Sequence, residues 1–284
     1  MTRYSRNEAL FGSEGQKRLR DTRPVIVGVG GLGTHIVQQV SLLGVGAIAL
    51  VDHETVDVSN LNRYVGTTPD SVGRPKVEIG AALARSIDPT LAVDFVHDTV
   101  WSADASRLIS QATHIFGCLD SDGARYVLNE IASAFSIPYV DCATDVDATH
   151  GAIAYGGRVF VNWDGQSCLA CMSLLDPIAA TRELEGKNAR IDRGHLYGVP
   201  TAALAEFGPS VVSLNGVLAS LATTEFMAGV TGLRRPARLL QYYGNLSRMT
   251  VNNDPPENDC YYCVGVRGSR RVTSIARLSS ALSS

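Results

Sequence analysis

Four glycines, two acids, two cations and four cysteines carry most of the chemistry that can be read from the chain. Gly28, Gly30, Gly31 and Gly33 lie in VIVGVGGLGTHIVQQV, and three of them fit G-x-G-x-x-G between an apolar run and a helical pattern. Glycine lets the backbone turn tightly and approach a phosphate. The following helix offers unpaired N–H groups and the positive end of its dipole. Asp52 comes about twenty residues later, at the end of the next apolar run, where a carboxylate accepts hydrogen bonds from ribose hydroxyls. These residues predict a nucleotide site and leave NAD and ATP both open.

The segment after Asp52, HETVDVSNLNRYVGTTPDSVGRPK, holds Asn60, Arg63, Arg74 and Lys76. Hydride transfer does not need several cations beside the phosphates, whereas triphosphate chemistry must neutralise charge and stabilise a leaving pyrophosphate. Arg63 can fork two phosphate oxygens and Lys76 supplies a point charge. In GCLDSDGARYVLNE, Asp120 is placed at the carboxyl end of a strand, where it can bind magnesium, a hard cation that takes carboxylate and phosphate oxygens. Asp122 reads as a helix cap or first-turn acid, and Arg125 follows it by about one helical turn.

CLAC and CYYC supply Cys168, Cys171, Cys260 and Cys263. Two residues between cysteines let both sulfurs face one ion, and two such pairs complete tetrahedral thiolate coordination of a structural zinc with no open position. The long interval between the pairs means that zinc would clip a late segment to an earlier one. Cys118 and Cys142 stand in apolar strand contexts and read as buried, inert thiols.

Strands and helices must hold these groups in place. PVIVGV, AIALVD, AVDFVHDTV, THIFGCLD and PYVDCAT read as five strands separated by helical patterns, including one over about 123–135. This alternation predicts an α/β, Rossmann-like, doubly wound and mainly parallel sheet. GAIAYGGRVFVNW predicts that the sheet continues into antiparallel strands, with a glycine turn inside that stretch. Residues 176–200 read as an irregular loop. GPSVVSLNGVLASLATTEFMAGVTG reads as a buried helix starting at Gly208-Pro209-Ser210, and ARLLQYYGNLSRMTVNN as two further strands. The expected organisation is an arm over 1–23, a nucleotide-binding part over 24–150, a carrier-binding and zinc-bearing part of the same domain over 151–263, and a flexible tail over 264–284.

The chain has 284 residues, 45% hydrophobic and 19% charged, with a formal net charge of −3. There is no overall basic field for nucleic acid, no apolar run of the roughly 18 residues that suggest a membrane span, and no apolar core for a signal peptide in MTRYSRNEAL. The expectation is a cytoplasmic protein with reduced thiols.

Taken in order, RYSRN, VIVGVGGLG, LVDHETVDVSNLNR, VGRPK, CLDSDGARYVLN, CLAC and CYYC resemble the MoeB/ThiF/HesA adenylyltransferases, relatives of ubiquitin-activating enzymes. The resemblance implies ATP-dependent activation of the C-terminal carboxylate of a small β-grasp protein, a ubiquitin-like or sulfur-carrier protein ending in Gly-Gly. The product would be an acyl-adenylate, with release of pyrophosphate. It implies that Asp52 holds the ribose, that Arg63 and Lys76 contact phosphates, and that Asn60 helps to position them. Asp120 would bind magnesium or the phosphate end, supported by Arg125. Arg6 would reach the triphosphate of a neighbouring subunit, which implies a homodimer. Asn7, Tyr64 and Ser121 depart from the family pattern. Met172–Asp259 contains no cysteine, so the adenylate is expected to pass directly to an outside nucleophile. A nicotinamide-dependent oxidoreductase and a nucleotide-binding scaffold without turnover are the competing readings. The first lacks an evident acid/base pair for hydride transfer, and the second has no use for Arg63, Lys76 and Asp120 together.

Overall fold

The computed structural model describes residues 3–147, 154–184, 210–253 and 259–273. Eight strands form one sheet: β1 (Pro24–Val27), β2 (Ala47–Val51), β3 (Ala92–Val96), β4 (His114–Gly117), β5 (Tyr139–Asp147), β6 (Ala154–Asn162), β7 (Leu239–Tyr243) and β8 (Arg248–Asn252). Their spatial order is β3-β2-β1-β4-β5-β6-β7-β8. The first five run parallel, and β6, β7 and β8 continue the sheet antiparallel.

Among the described residues, seven helices flank the sheet: α1 (Ser5–Arg20), α2 (Gly31–Leu43), α3 (Lys76–Ile87), α4 (Ala103–Ser110), α5 (Asp122–Phe135), α6 (Pro177–Leu184) and α7 (Val212–Thr231). The central strands β1 and β2 read as unbroken apolar runs because both faces are covered, whereas β3 at the sheet edge is largely exposed. Ile26, Leu50 and Phe116 point to one side and pack with Ile36 and Val37 of α2, Val77 of α3 and Phe226 of α7. Val25, Val27 and Ile115 point to the other and pack with Ile109 of α4 and Leu128 and Ile131 of α5. Each such burial stabilises the fold by roughly 1.5–3 kcal/mol. α1 is tied back onto this body, with Gln16 Nε2 donating to Leu43 O at 2.8 Å and Arg18 Nη1 to Thr231 O at 3.3 Å.

Three local expectations are corrected. Gly156 and Gly157 do not turn the chain but sit inside β6, paired with β5 and β7. A side chain there is excluded by neighbouring backbone: a Cβ on Gly156 would lie 2.0 Å from Tyr242 O. Residues 177–184 of the supposed loop form α6, whose start is held by Asp176 accepting from the N–H groups of Ile178 and Ala179; the rest of that loop lies outside the described residues. α7 begins at Val212 after Val211, beyond Ser210, while Gly208 and Pro209 lie outside the described residues. Of the 264–284 segment, the part up to Thr273 is described and anchored. Val266 is buried, and Thr273 donates to Glu130 Oε1 from both its backbone N–H and its hydroxyl. Among the described residues, no helix is long and apolar enough to cross a membrane.

Candidate functional site

Strand order reverses between β2-β1 and β4-β5, and a crevice of about 1270 Å³ opens at the carboxyl ends of these strands, the place where doubly wound sheets bind ligands. The glycine loop forms its floor. Gly28 adopts φ +88°, a left-handed conformation, and a Cβ there would lie 2.4 Å from Cys118 O. A Cβ on Gly33 would lie 2.0 Å from Gly28 O, so helix and turn can meet only without one. Gly30 caps α2 without a side-chain hydrogen bond, and the first-turn N–H groups face the crevice as an anion site.

Asp52 is buried beside this turn, accepting from Val29 N–H at 2.7 Å and from Glu54 N–H at 2.8 Å. It therefore clamps the glycine turn to the end of β2, in addition to lining the crevice. Burial pushes its carboxyl up from the ordinary range, opposed by Lys76 and the two backbone donors. Lys76, the first residue of α3, is only 6% exposed and ion-paired with Glu54. Burial alone would lower its pKa, but Asp52, Tyr64 and Glu54 outweigh it and push it up to about 12. Its ammonium sits 5.1 Å from the centre of the Tyr64 ring, and the Arg63 guanidinium 5.4 Å from that centre. Tyr64 thus serves as an aromatic rest for both cations.

Across the crevice, Asp120 is exposed and takes part in no ion pair among the described residues, which suits a carboxylate to a hard cation. Ser121 caps α5 by accepting from Ala124 N–H, which leaves Asp122 as the first-turn acid. Arg125 is buried, donates to Leu119 O, and lies 3.4 Å from Asp122 and 3.6 Å from Asp141. Two expected residues sit elsewhere. Asn60 is buried in a single turn, its Oδ1 accepting from Asp57 N–H at 3.0 Å, and does not line the crevice. Arg6 is exposed on α1 and does not line it either.

The four cysteines of the two pairs come together, their sulfurs all within 4.8 Å of one another. Cys168 and Cys260 approach to 3.6 Å, and Cys171 and Cys263 to 3.9 Å. A tetrahedral zinc with Zn–S of about 2.3 Å places its sulfurs about 3.8 Å apart, so the donor set fits the ion. Cys168 N–H donates to Cys171 Sγ at 3.1 Å, and Tyr262 between the late cysteines packs edge-on against Tyr126 of α5 at 5.9 Å. Cys142 is fully buried, as expected. Cys118 is not: it is half-buried and lines the crevice beside Gly28, because β4 ends one residue earlier and its last turn faces the cleft. The expectation of a buried, inert thiol therefore does not hold for Cys118.

Reading the sequence missed Glu54, Arg158, Asp141 and Asn215. Asn215 lines the crevice from α7, with its Nδ2 bonded to Ser210 Oγ at 3.3 Å. Its signal was an amide in the first turn of a mostly apolar helix. Arg158 is likewise the one cation in an apolar strand.

The family model described as ThiF family matches residues 4–262. The chain is 32% identical over 241 residues to a molybdopterin-synthase adenylyltransferase of Escherichia coli, covering 84% of this chain and 85% of that protein. It is 36% identical over 175 residues to a SAMP-activating enzyme E1 of Haloferax volcanii, covering 61% and 62%. A solved structure of E. coli MccB with ATP shares the fold with a TM-score of 0.72 at 18% identity, covering 93% of this chain and 74% of that one.

Proposed function

The chain belongs to the ThiF family, and from that premise we propose that it is an ATP-dependent adenylyltransferase that activates the C-terminal carboxylate of a small ubiquitin-like or sulfur-carrier protein ending in Gly-Gly. The observation that carries this reading is the gathering of Lys76, Arg63 and Asp120 around one crevice with the glycine turn. A dinucleotide does not require that charge.

In this reading the α2 N-terminus and Gly28, Gly30, Gly31 and Gly33 receive the phosphates, and Asp52 the ribose. Lys76 and Arg63 exchange their present partners, Glu54 and Ser59 O, for phosphate oxygens. A carboxylate oxygen of the carrier forms a bond to the α-phosphorus. The bond to the bridging oxygen breaks, and pyrophosphate leaves with that electron pair. Asp120 would hold magnesium, which would supply charge neutralisation on the phosphates; Arg125 keeps the turn after β4 in place by binding Leu119 O. Asn60 contributes by holding the turn that carries Arg63. Arg6, exposed on α1, serves the site of a second copy in a homodimer. Cys168, Cys171, Cys260 and Cys263 hold a structural zinc. Residues 24–150 form the nucleotide part and 151–263 the carrier-binding part, with 1–23 as the arm and the tail after 263. A cytoplasmic setting, which keeps four thiols reduced, completes the reading.

ATP–pyrophosphate exchange with small proteins ending in Gly-Gly tests it. Exchange that depends on the terminal glycine is expected; tight NAD binding without ATP binding overturns it.

A further inference from the structure

We propose that Arg158 seats the acyl group of the substrate, so that it is a substrate-binding residue at the junction between the nucleotide end and the antiparallel end of the crevice. This rests on the adenylyltransferase reading.

Arg158 stands on β6, opposite Ala143 of β5 and Gln241 of β7, well into the antiparallel half. Its side chain is fixed from behind. Nη2 donates to Leu174 O at 3.0 Å and lies 3.6 Å from Asp141 Oδ2, while Asp141 itself is fully buried. Asp141 also accepts from the Tyr139 hydroxyl at 2.9 Å and faces Arg125 Nε at 3.6 Å. One buried carboxylate thus anchors two guanidinium groups on the crevice wall. Arg125 has a second acid, Asp122; among the described residues Arg158 has no other. Its side chain remains 24% exposed and lines the crevice.

The array is not saturated by the protein's own groups. Arg125 Nε, Arg158 Nε and Asp141 Oδ2 are buried without a hydrogen-bond partner among the described residues, a state that native interiors rarely leave. The chemistry also calls for a cation at this point. Two anions, a carboxylate and a polyphosphate, must be brought into contact, and their repulsion in a partly desolvated cleft is large. The cations at the nucleotide end, Arg63 and Lys76, belong to the elements after β2. Arg158 comes from the side on which the carrier tail would enter, and its planar fork suits the two oxygens of a carboxylate.

The test is calorimetry on the full chain with two probes, AMP and N-acetylglycyl-sulfamoyl-adenosine, a stable mimic of a peptidyl-glycyl adenylate whose acyl oxygen can accept from a guanidinium and whose glycine, like that of a carrier tail, carries no ammonium. Arg158→Gln is expected to weaken binding of the glycyl probe by about tenfold or more, with AMP affinity changed by less than about twofold. Arg158→Lys, which keeps the charge and loses the fork, should fall between. Arg158→Met, which keeps the length of the side chain without a donor and leaves Asp141 with Arg125 and Tyr139, should show the same selective loss. Equal loss for both probes, or unchanged affinity for both, overturns the assignment. If the wild-type chain binds neither probe, the nucleotide reading itself fails, and this inference with it.

Discussion

The proposed nucleotide end and the proposed zinc end of this molecule are built on opposite principles. At the nucleotide end, side chains close in sequence do the work. The turn Gly28–Gly33 and the clamp of Asp52 on Val29 N–H form within one β-α-β unit. At the zinc end, Cys168 and Cys171 meet Cys260 and Cys263 across a long stretch of chain, with β7, β8 and α7 folded in between. The first region holds by steric exclusion and backbone hydrogen bonds, while the second holds by a cluster that is weak without an ion. The difference implies that chemistry can be removed from one end without loosening the other.

The largest effect is expected at the nucleotide end. Lys76→Ala removes a buried cation that lines the crevice and is proposed to meet the phosphates, and should reduce carrier-dependent pyrophosphate exchange by about 10²–10³-fold, the range seen when one electrostatic stabiliser is lost. Zinc content, read by metal analysis of the same preparation, should stay at the wild-type level. A variant that lost both would show the two ends to be coupled.

The second test attacks the zinc end. Cys260→Ser with Cys263→Ser, or chelation of the wild-type chain, should cost about 3 kcal/mol of stability, a size characteristic of losing a metal. AMP affinity should persist at temperatures below the lowered melting point. Urea unfolding and AMP titration on one sample decide the matter, and a metal-free chain that melts unchanged would exclude a structural role for the cluster.

How much was legible in the sequence follows the same division. The glycine turn, Asp52, Lys76 and the presence of the five parallel strands could be read because each depends on neighbours in sequence, on an apolar run or on a helical pattern. The cysteine pairs could be read because thiolate coordination needs only residue type and spacing. Arg158 and Asp141 were not legible, since their partnership exists only across β5 and β6. The glycines of β6 misled for a related reason. Gly156 and Gly157 answer to crowding from neighbouring strands, not to a turn in their own. Cys118 was misread because apolar flanks say that a strand is buried, but not where it stops.

A smaller effect separates the two duties of Asp52. Asp52→Asn keeps an acceptor for Val29 or Glu54 but removes the charge that helps to hold Lys76 up. ATP affinity should fall about tenfold, equivalent to about 1.4 kcal/mol, with little change in melting temperature. A large drop in melting temperature would mean that the clamp, and not the ligand contact, is the main role.

The smallest effect lies at the seam between the two ends. His114 opens β4 at the edge remote from the crevice, its ring 5.1 Å from Trp163 after β6 and 5.0 Å from Phe226 of α7. Burial among these rings lowers its pKa to about 4, so the folded protein holds it neutral where the unfolded chain has begun to protonate it. The unfolded state then binds more protons between about pH 6.5 and 4, and linkage requires stability to fall as pH drops through that window. The stabilisation from this group is present above pH 6.5, and about 1 kcal/mol of it should be gone between pH 7.5 and 5.5. His114→Phe keeps an aromatic ring against Trp163 and Phe226 and has nothing to titrate. Urea unfolding of both proteins across that range isolates the histidine, because the carboxylates contribute equally to each. A variant as acid-sensitive as the parent would place the titrating group elsewhere. A flatter curve for the variant would identify His114 as the point where mild acid loosens the join between the parallel and antiparallel halves.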